Sequence, residues 1–477
     1  MARKIIIDTD PGVDDILAIL LALSSTPEEL EVLLISVTYG NIDVHNCLRN
    51  TVSLFHHVEK EIAWRKSQGK DAGFKTLQKT KPLVAVGPDH PLADQILMAD
   101  FFHGHDGLGG IHESHSHMTP AETWKELFQH AENSNDPEEQ AVAEELQNTD
   151  ALFTPSRVPS SKEILRLLRE NEPDTITIVA IGPLTNLALA ASLDPETFLR
   201  AKEIVVMGGS INEGGNVGPA PSPTHPSTAT LQEPPFRLIT QPPGPIRNKL
   251  NLRNQITPVA EFNTFADAVA AARVYALSSP NPRSTMPPTA PAPPGVQADH
   301  HPPPFLQPYP SNLSRQLKIT LFPLDITHKH SLTRGDFRKT LEPLRAQNSP
   351  LAEWVSAFMT STFDKVESLQ KDVSGDNVAL DLHDPLCIWY CMGLDPSEWK
   401  LVEDEDLRVE TSGQWTRGMC VVDRRTRKKR EDDDEGERPG DTGNWLGRKS
   451  GNRLRRCVGS PGEDLFGGLL LKRVFNL

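Results

Sequence analysis

The stretch Ile5-Ile6-Ile7-Asp8-Thr9-Asp10-Pro11-Gly12-Val13-Asp14-Asp15, followed at once by Ile16-Leu17-Ala18-Ile19-Leu20-Leu21, decides the fold. The β-branched apolar run reads as a buried strand, Pro-Gly forces a turn, and the apolar segment beyond it reads as a helix. Four carboxylates are thereby crowded into one strand-to-helix turn, where like charges repel strongly unless something positive sits among them. The helix dipole favours Asp14 and Asp15 by only about 1 kcal/mol. A hard cation bound by oxygens is the natural remedy, calcium or magnesium by ligand type. The competing reading is a solvated acidic turn with a capped helix; the metal site is favoured.

The same pattern recurs along the 477 residues. Strands are expected at 31–37, 83–88, 175–181, 203–207 and 317–324, most of them closed by Gly-Asn, Gly-Pro or Gly-Gly. Helices are expected at 44–58, 184–193, 265–277, 354–369 and 386–392. Strand, breaker and helix in repetition predict an α/β fold, an open and mostly parallel sheet with helices on both faces. In such sheets the ligand sits outside the carboxyl ends of the strands, where the aspartate turn and Gly40-Asn41 both fall. Three stretches interrupt the pattern. Residues 218–256 and 281–314 are dense in Pro, Ser and Thr without a sustained period, and 120–157 is polar. Long structureless loops are uncommon inside a compact domain. Residues 424–456 read as a charged loop, basic and then acidic, with a nuclear-import patch as the lesser reading. A single domain, 1–477, is expected.

Composition narrows the class. The net charge of −15 argues against nucleic acid and anionic membranes as partners. No apolar run approaches the roughly 20 residues of a membrane span, and the N-terminus offers no hydrophobic segment for a signal peptide. Five scattered cysteines make no disulfide framework, and Cys387 and Cys391 read as core thiols. A cytoplasmic protein is expected. The His-rich segment 101–117 matches no standard zinc spacing and reads instead as a flexible active-site loop lending one histidine, His103.

Six motifs in order then carry a resemblance. Asp8-Thr9-Asp10-Pro11-Gly12-Val13-Asp14-Asp15 resembles the signature of the inosine-uridine preferring nucleoside hydrolases. Gly40-Asn41, Ile181-Gly182-Pro183-Leu184-Thr185-Asn186 and Val206-Met207-Gly208-Gly209 follow it. Thr257-Pro258-Val259-Ala260-Glu261-Phe262-Asn263 and His383-Asp384-Pro385 complete the series. The long inserts and Trp415-Thr416-Arg417-Gly418 look like the family's fungal, uridine nucleosidase-like members.

The resemblance implies hydrolysis of the N-glycosidic bond of a ribonucleoside, uridine or inosine, to ribose and free base. It implies Ca²⁺ held by Asp10, Asp15, Asp384 and the carbonyl of Ile181. Asp10 would accept the proton of a cation-bound water, and the transition state would be oxocarbenium-like. Asp14 and Asn263 would hold the ribose diol, Asn216 and Glu261 the 5′-hydroxyl, and Asn41 the ribose side. His383 would protonate or hydrogen-bond the leaving base, with His103 second. A homodimer or homotetramer is implied.

One departure stands out. The family runs Asn-x-Thr-Pro-x-x-Glu-Phe-Asn without interruption, whereas 218–256 here part Asn216-Val217 from Thr257-Pro258. The abrupt edges and composition read as translated intron sequence. A catalytically impaired nucleoside-binding paralogue is therefore one alternative. A phosphatase of the haloacid-dehalogenase type is another, resting on Asp8-Thr9-Asp10 alone. An EF-hand-like loop fails, because position twelve from Asp8 is Ile19.

Overall fold

Alternation along the first strand sets up a two-sided architecture. In the computed structural model β1 (Arg3–Thr9) turns Ile5 and Ile7 into one apolar layer and Ile6 into the other. Both layers are dry, so the strand carries no polar face and reads as a continuous apolar run. The structure describes residues 2–93, 96–121, 151–215, 258–287, 304–370, 372–393, 396–430 and 438–477, together with Lys125 and Phe128.

Along the chain, β1 is followed by α1 (Val13–Leu23), β2 (Leu30–Val37), α2 (Val44–Ser67) and β3 (Leu83–Val86). Then come β4 (Thr154–Pro155), α3 (Ser160–Glu170), β5 (Ile176–Ala180), α4 (Thr185–Leu193) and β6 (Glu203–Met207). The remainder supplies α5 (Ala268–Ala276), β7 (Ile319–Phe322), α6 (Pro350–Leu369), α7 (His383–Cys391), β8 (Lys400–Glu405), β9 (Leu454–Gly459) and α8 (Phe466–Phe475). These nine strands form one sheet in the order β8-β9-β7-β6-β5-β1-β2-β3-β4. Only the β8–β9 pair is antiparallel.

Several boundaries differ from the sequence reading. The second helix runs to Ser67, well past residue 58, because Glu61 and Arg65 continue it as a buried ion pair. The helix expected over 265–277 is two pieces, Phe262–Ala266 and α5, broken where Asp267 caps α5 by accepting from Ala270 N–H. Residues 454–456, at the end of the expected charged loop, belong to β9. Segment 218–256, most of 120–157, the acidic run 431–437, Thr257 and Asn216 lie outside the described residues. Cys387 and Cys391 are buried and unbonded to each other, as core thiols would be. No described helix is long and apolar enough to cross a membrane.

Register decides what meets at the sheet edge. Asp8 stands beside Ser36 of β2 and Ala180 of β5, and Ala180 beside Val206 of β6. The residues just beyond, Asp10, Gly40-Asn41, Ile181-Gly182 and Gly208-Gly209, therefore share one carboxyl edge.

Candidate functional site

The turn between β1 and α1 is organised by Asp15. Its carboxylate accepts from Thr9 Oγ1 at 2.6 Å, Asp10 N–H at 3.2 Å, Gly12 N–H at 3.1 Å and Asn41 Nδ2 at 2.9 Å. Four donors on one carboxylate both close the turn and satisfy donors that the helix start would leave bare. Asp8 lies beneath, where one oxygen accepts from Ser36 Oγ at 2.5 Å and Asn186 Nδ2 at 2.8 Å. Its other oxygen is buried without a partner, and burial raises the carboxyl to about 7. Asn186 thereby ties α4 to β1 and β2.

Asp10 is placed differently. Oδ2 accepts from Asn41 N–H at 2.7 Å, while Oδ1 is buried with no hydrogen-bond partner. A Cβ on Gly182 would stand 2.5 Å from that Oδ1, so the neighbouring strand end must be glycine for the carboxylate to sit there. Asp14, Asp15 and Asp384 each offer an oxygen within 4.8 Å of the others. Asp384 comes from the first turn of α7, which packs on α1. Burial, then the neighbouring carboxylates, raise Asp10 and Asp384 well above the usual range and Asp14 to about 8. An all-oxygen set with an orphaned buried oxygen beside it fits a hard divalent cation. The carbonyl of Ile181 is at the same edge and accepts from Asn263 Nδ2 at 3.1 Å.

The far wall is built on Glu261, the cap of the helix Phe262–Ala266. Its carboxylate accepts from Asn263 N–H at 2.6 Å, Thr264 N–H at 2.9 Å, Thr264 Oγ1 at 3.0 Å and Gly209 N–H at 2.9 Å. Asn263 also reaches Met207 O at 3.3 Å, so one side chain fastens the ends of β5 and β6. Asn216 is outside the described residues, yet its neighbour Gly215 donates to Pro258 O at 3.4 Å.

His103 is buried over the start of α1, with Val13 N–H 3.4 Å from Nδ1, and burial lowers it to about 4. Its loop is fastened by Asp106, which accepts from the N–H groups of Leu108, Gly110 and His112. His112 bridges Thr119 and Asn50 and is structural.

His383 opens α7 with Nδ1 2.8 Å from Thr327 Oγ1. Burial, with His328 and His103 nearby, lowers it to about 3, so the ring is neutral at neutral pH. With the hydroxyl as donor, the ring proton lies on Nε2, free to point at a ligand. Asn186, Thr327, His328 and Asp381 were not singled out by the sequence reading. Asn186 and Asp381 stand in or beside a motif and Thr327 and His328 beside none, and nothing in the chain order says that they meet anything.

The sequence model of the inosine-uridine preferring nucleoside hydrolases matches residues 5–435. The chain is 34% identical to uridine nucleosidase 1 of Arabidopsis thaliana over 222 residues, 46% of this chain and 48% of that one. It is 26% identical to the pyrimidine-specific ribonucleoside hydrolase RihA of Salmonella newport over 423 residues, 89% of each chain. Its fold matches a solved plant nucleoside hydrolase with a TM-score of 0.57 at 22% identity, covering 100% of this chain and 99% of that one.

Proposed function

The chain belongs to the inosine-uridine preferring nucleoside hydrolase family, metal-dependent enzymes that hydrolyse ribonucleosides, and from that premise we propose a calcium enzyme preferring uridine or inosine, with Asp10 as its base. The observation that carries the assignment is the orphaned, buried Oδ1 of Asp10 beside the Asp14–Asp15–Asp384 cluster. The family match sets aside the haloacid-dehalogenase alternative.

Asp10, Asp15, Asp384 and the Ile181 carbonyl are the residues that would hold calcium. Once bound, the ion would offset the carboxylates' mutual repulsion and lower the pKa of a water it coordinates. The protein's part follows from its own donors and acceptors. Asp10 Oδ1, with no hydrogen bond to give up, accepts the proton of the attacking water. Asp14 and Asn263 take the ribose diol, and Asn41 braces Asp10 and Asp15 on the ribose side. Glu261, with Asn216, takes the 5′-hydroxyl by exchanging its bond to the rotatable Thr264 hydroxyl. As the glycosidic bond breaks, charge builds on the departing base. The neutral His383 then offers Nε2–H as a hydrogen bond, with His103 second. Uridine preference is supported by two relatives, a uridine nucleosidase and a pyrimidine-specific ribonucleoside hydrolase.

The proposal further comprises one domain, 1–477, a homodimer or homotetramer, and a cytoplasmic location, the last supported by five free thiols. Light scattering and cell fractionation test these points. The decisive experiment measures uracil and ribose released from uridine by the purified protein and by Asp10→Ala. We expect a loss on the order of 10³-fold in the variant. Equal rates would overturn the assignment and favour the impaired paralogue.

A further inference from the structure

A second group of ligand atoms converges beside the site. His328, Asp381 and His383 each place one nitrogen or oxygen within 4.8 Å of the others, and all three side chains are half-buried, so solutes can reach them. The two imidazoles meet edge to face at 5.4 Å between ring centres. They come from separate places: His328 follows the short helix Leu324–Thr327 after β7, Asp381 ends the strand Ala379–Asp381, and His383 starts α7.

What distinguishes this group from an ordinary polar cluster is that its atoms are unused. No side-chain hydrogen bond or ion pair reaches the Asp381 carboxylate or the His328 ring among the described residues, and burial alone acts on Asp381. His383 has Nδ1 occupied by Thr327, which leaves Nε2. Half-buried polar groups that make no bonds to the protein keep their ligand atoms available to water or to a solute.

We propose that His328, Asp381 and His383 form a binding site for a borderline divalent transition metal, Zn²⁺ by ligand type, distinct from the carboxylate cluster and inhibitory when filled. Two imidazole nitrogens and one carboxylate oxygen suit zinc and not calcium, which prefers six or more oxygens. The Thr327 hydroxyl permits both uses of His383. It donates to Nδ1 when Nε2–H faces the leaving base, and it accepts from Nδ1–H when Nε2 holds a metal. A metal there would take from His383 the hydrogen that the base requires. The inhibitory half of the proposal rests on the assigned role of His383; the binding half does not.

The test uses the full chain with calcium at saturation. Equilibrium dialysis against Zn²⁺ should find one zinc per chain that calcium does not displace, lost in His328→Ala and in the near-isosteric Asp381→Asn. Co²⁺ in place of zinc should give a visible absorption band in the parent and not in the two variants. Zinc should inhibit uridine hydrolysis, and each variant should need at least about tenfold more zinc for half-inhibition. Zinc that rising calcium displaces, or that both folded variants bind as tightly as the parent, would overturn the site. Zinc bound at the site without inhibition would leave the site standing and overturn the role of His383. Circular dichroism establishes that each variant is folded.

Discussion

Asp10 and Asp15 are five residues apart and chemically identical, yet the turn treats them oppositely. Asp15 accepts from four donors and holds the backbone, whereas Asp10 keeps one oxygen bare. A buried carboxylate left bare is destabilising by itself and useful only with a cation or a proton to receive. The sign of the pH effect follows. Asp14 has its folded, metal-free value raised to about 8 from 3.8, so it contributes stability at low pH that is lost as pH rises toward 8. Burial likewise raises Asp10 and Asp384, and calcium must displace their protons, so its affinity should rise with pH, up to about tenfold per unit for each proton released. The calcium-induced rise in unfolding temperature should therefore be larger at pH 8 than at pH 6, by scanning calorimetry with and without chelator. Equal shifts would contradict it. His383 offers a second residue-level check. Thr327→Val removes the group that fixes the ring's tautomer and should lower kcat on the order of tenfold, while Thr327→Ser retains activity.

Among elements, the site depends on strand ends held in line. Asn186, in α4, donates to Asp8, Ser36 and the Val37 carbonyl, and so fastens a helix to two strands from within the core. Asn186→Ala should cost about 2–3 kcal/mol, because it leaves buried oxygens without donors; urea titration reads the loss. Gly182 acts by having no side chain. Gly182→Ala would push a methyl against Asp10 Oδ1, and we expect uridine hydrolysis to fall at least about 10²-fold with the circular dichroism spectrum unchanged. Most of these elements were legible in the chain, since β-branched runs closed by Pro-Gly, Gly-Asn, Gly-Pro and Gly-Gly mark β1, β2, β5 and β6 in turn. β9 was not legible. Its sequence Leu454-Arg455-Arg456-Cys457-Val458-Gly459 carries adjacent arginines that look solvated, and their charges are met by Glu203 of β6, two strands away, and Glu405 of the adjacent β8.

On the scale of the whole molecule, one sheet collects strands from residue 3 to residue 459, so the interrupted segments are excursions from a continuous architecture. The flanks of the largest excursion are already together, with Gly215 N–H 3.4 Å from Pro258 O. Closing long loops costs little, about 0.6 kcal/mol per doubling of length. A chain deleted of 218–256, joining Val217 to Thr257, should fold and hydrolyse uridine at least as well as the full chain. Failure to fold would show that the segment is integral, and its presence in mature transcript would refute the intron reading.

The sequence by itself determined the period of strands and helices, the sheet edge to which the ligand must come, and the family. These are properties of local pattern and of motifs in order, and both survive in one dimension. Which aspartate gathers the donors and which keeps a bare oxygen was decided only by the tertiary structure. So was the burial that drives Asp14 up and His383 down, and the meeting of His328 with Asp381. Those depend on which donors arrive from β2, β5 and α7, and on how much water they exclude. Desolvation and through-space charge act over a few ångströms, whatever the separation along the chain.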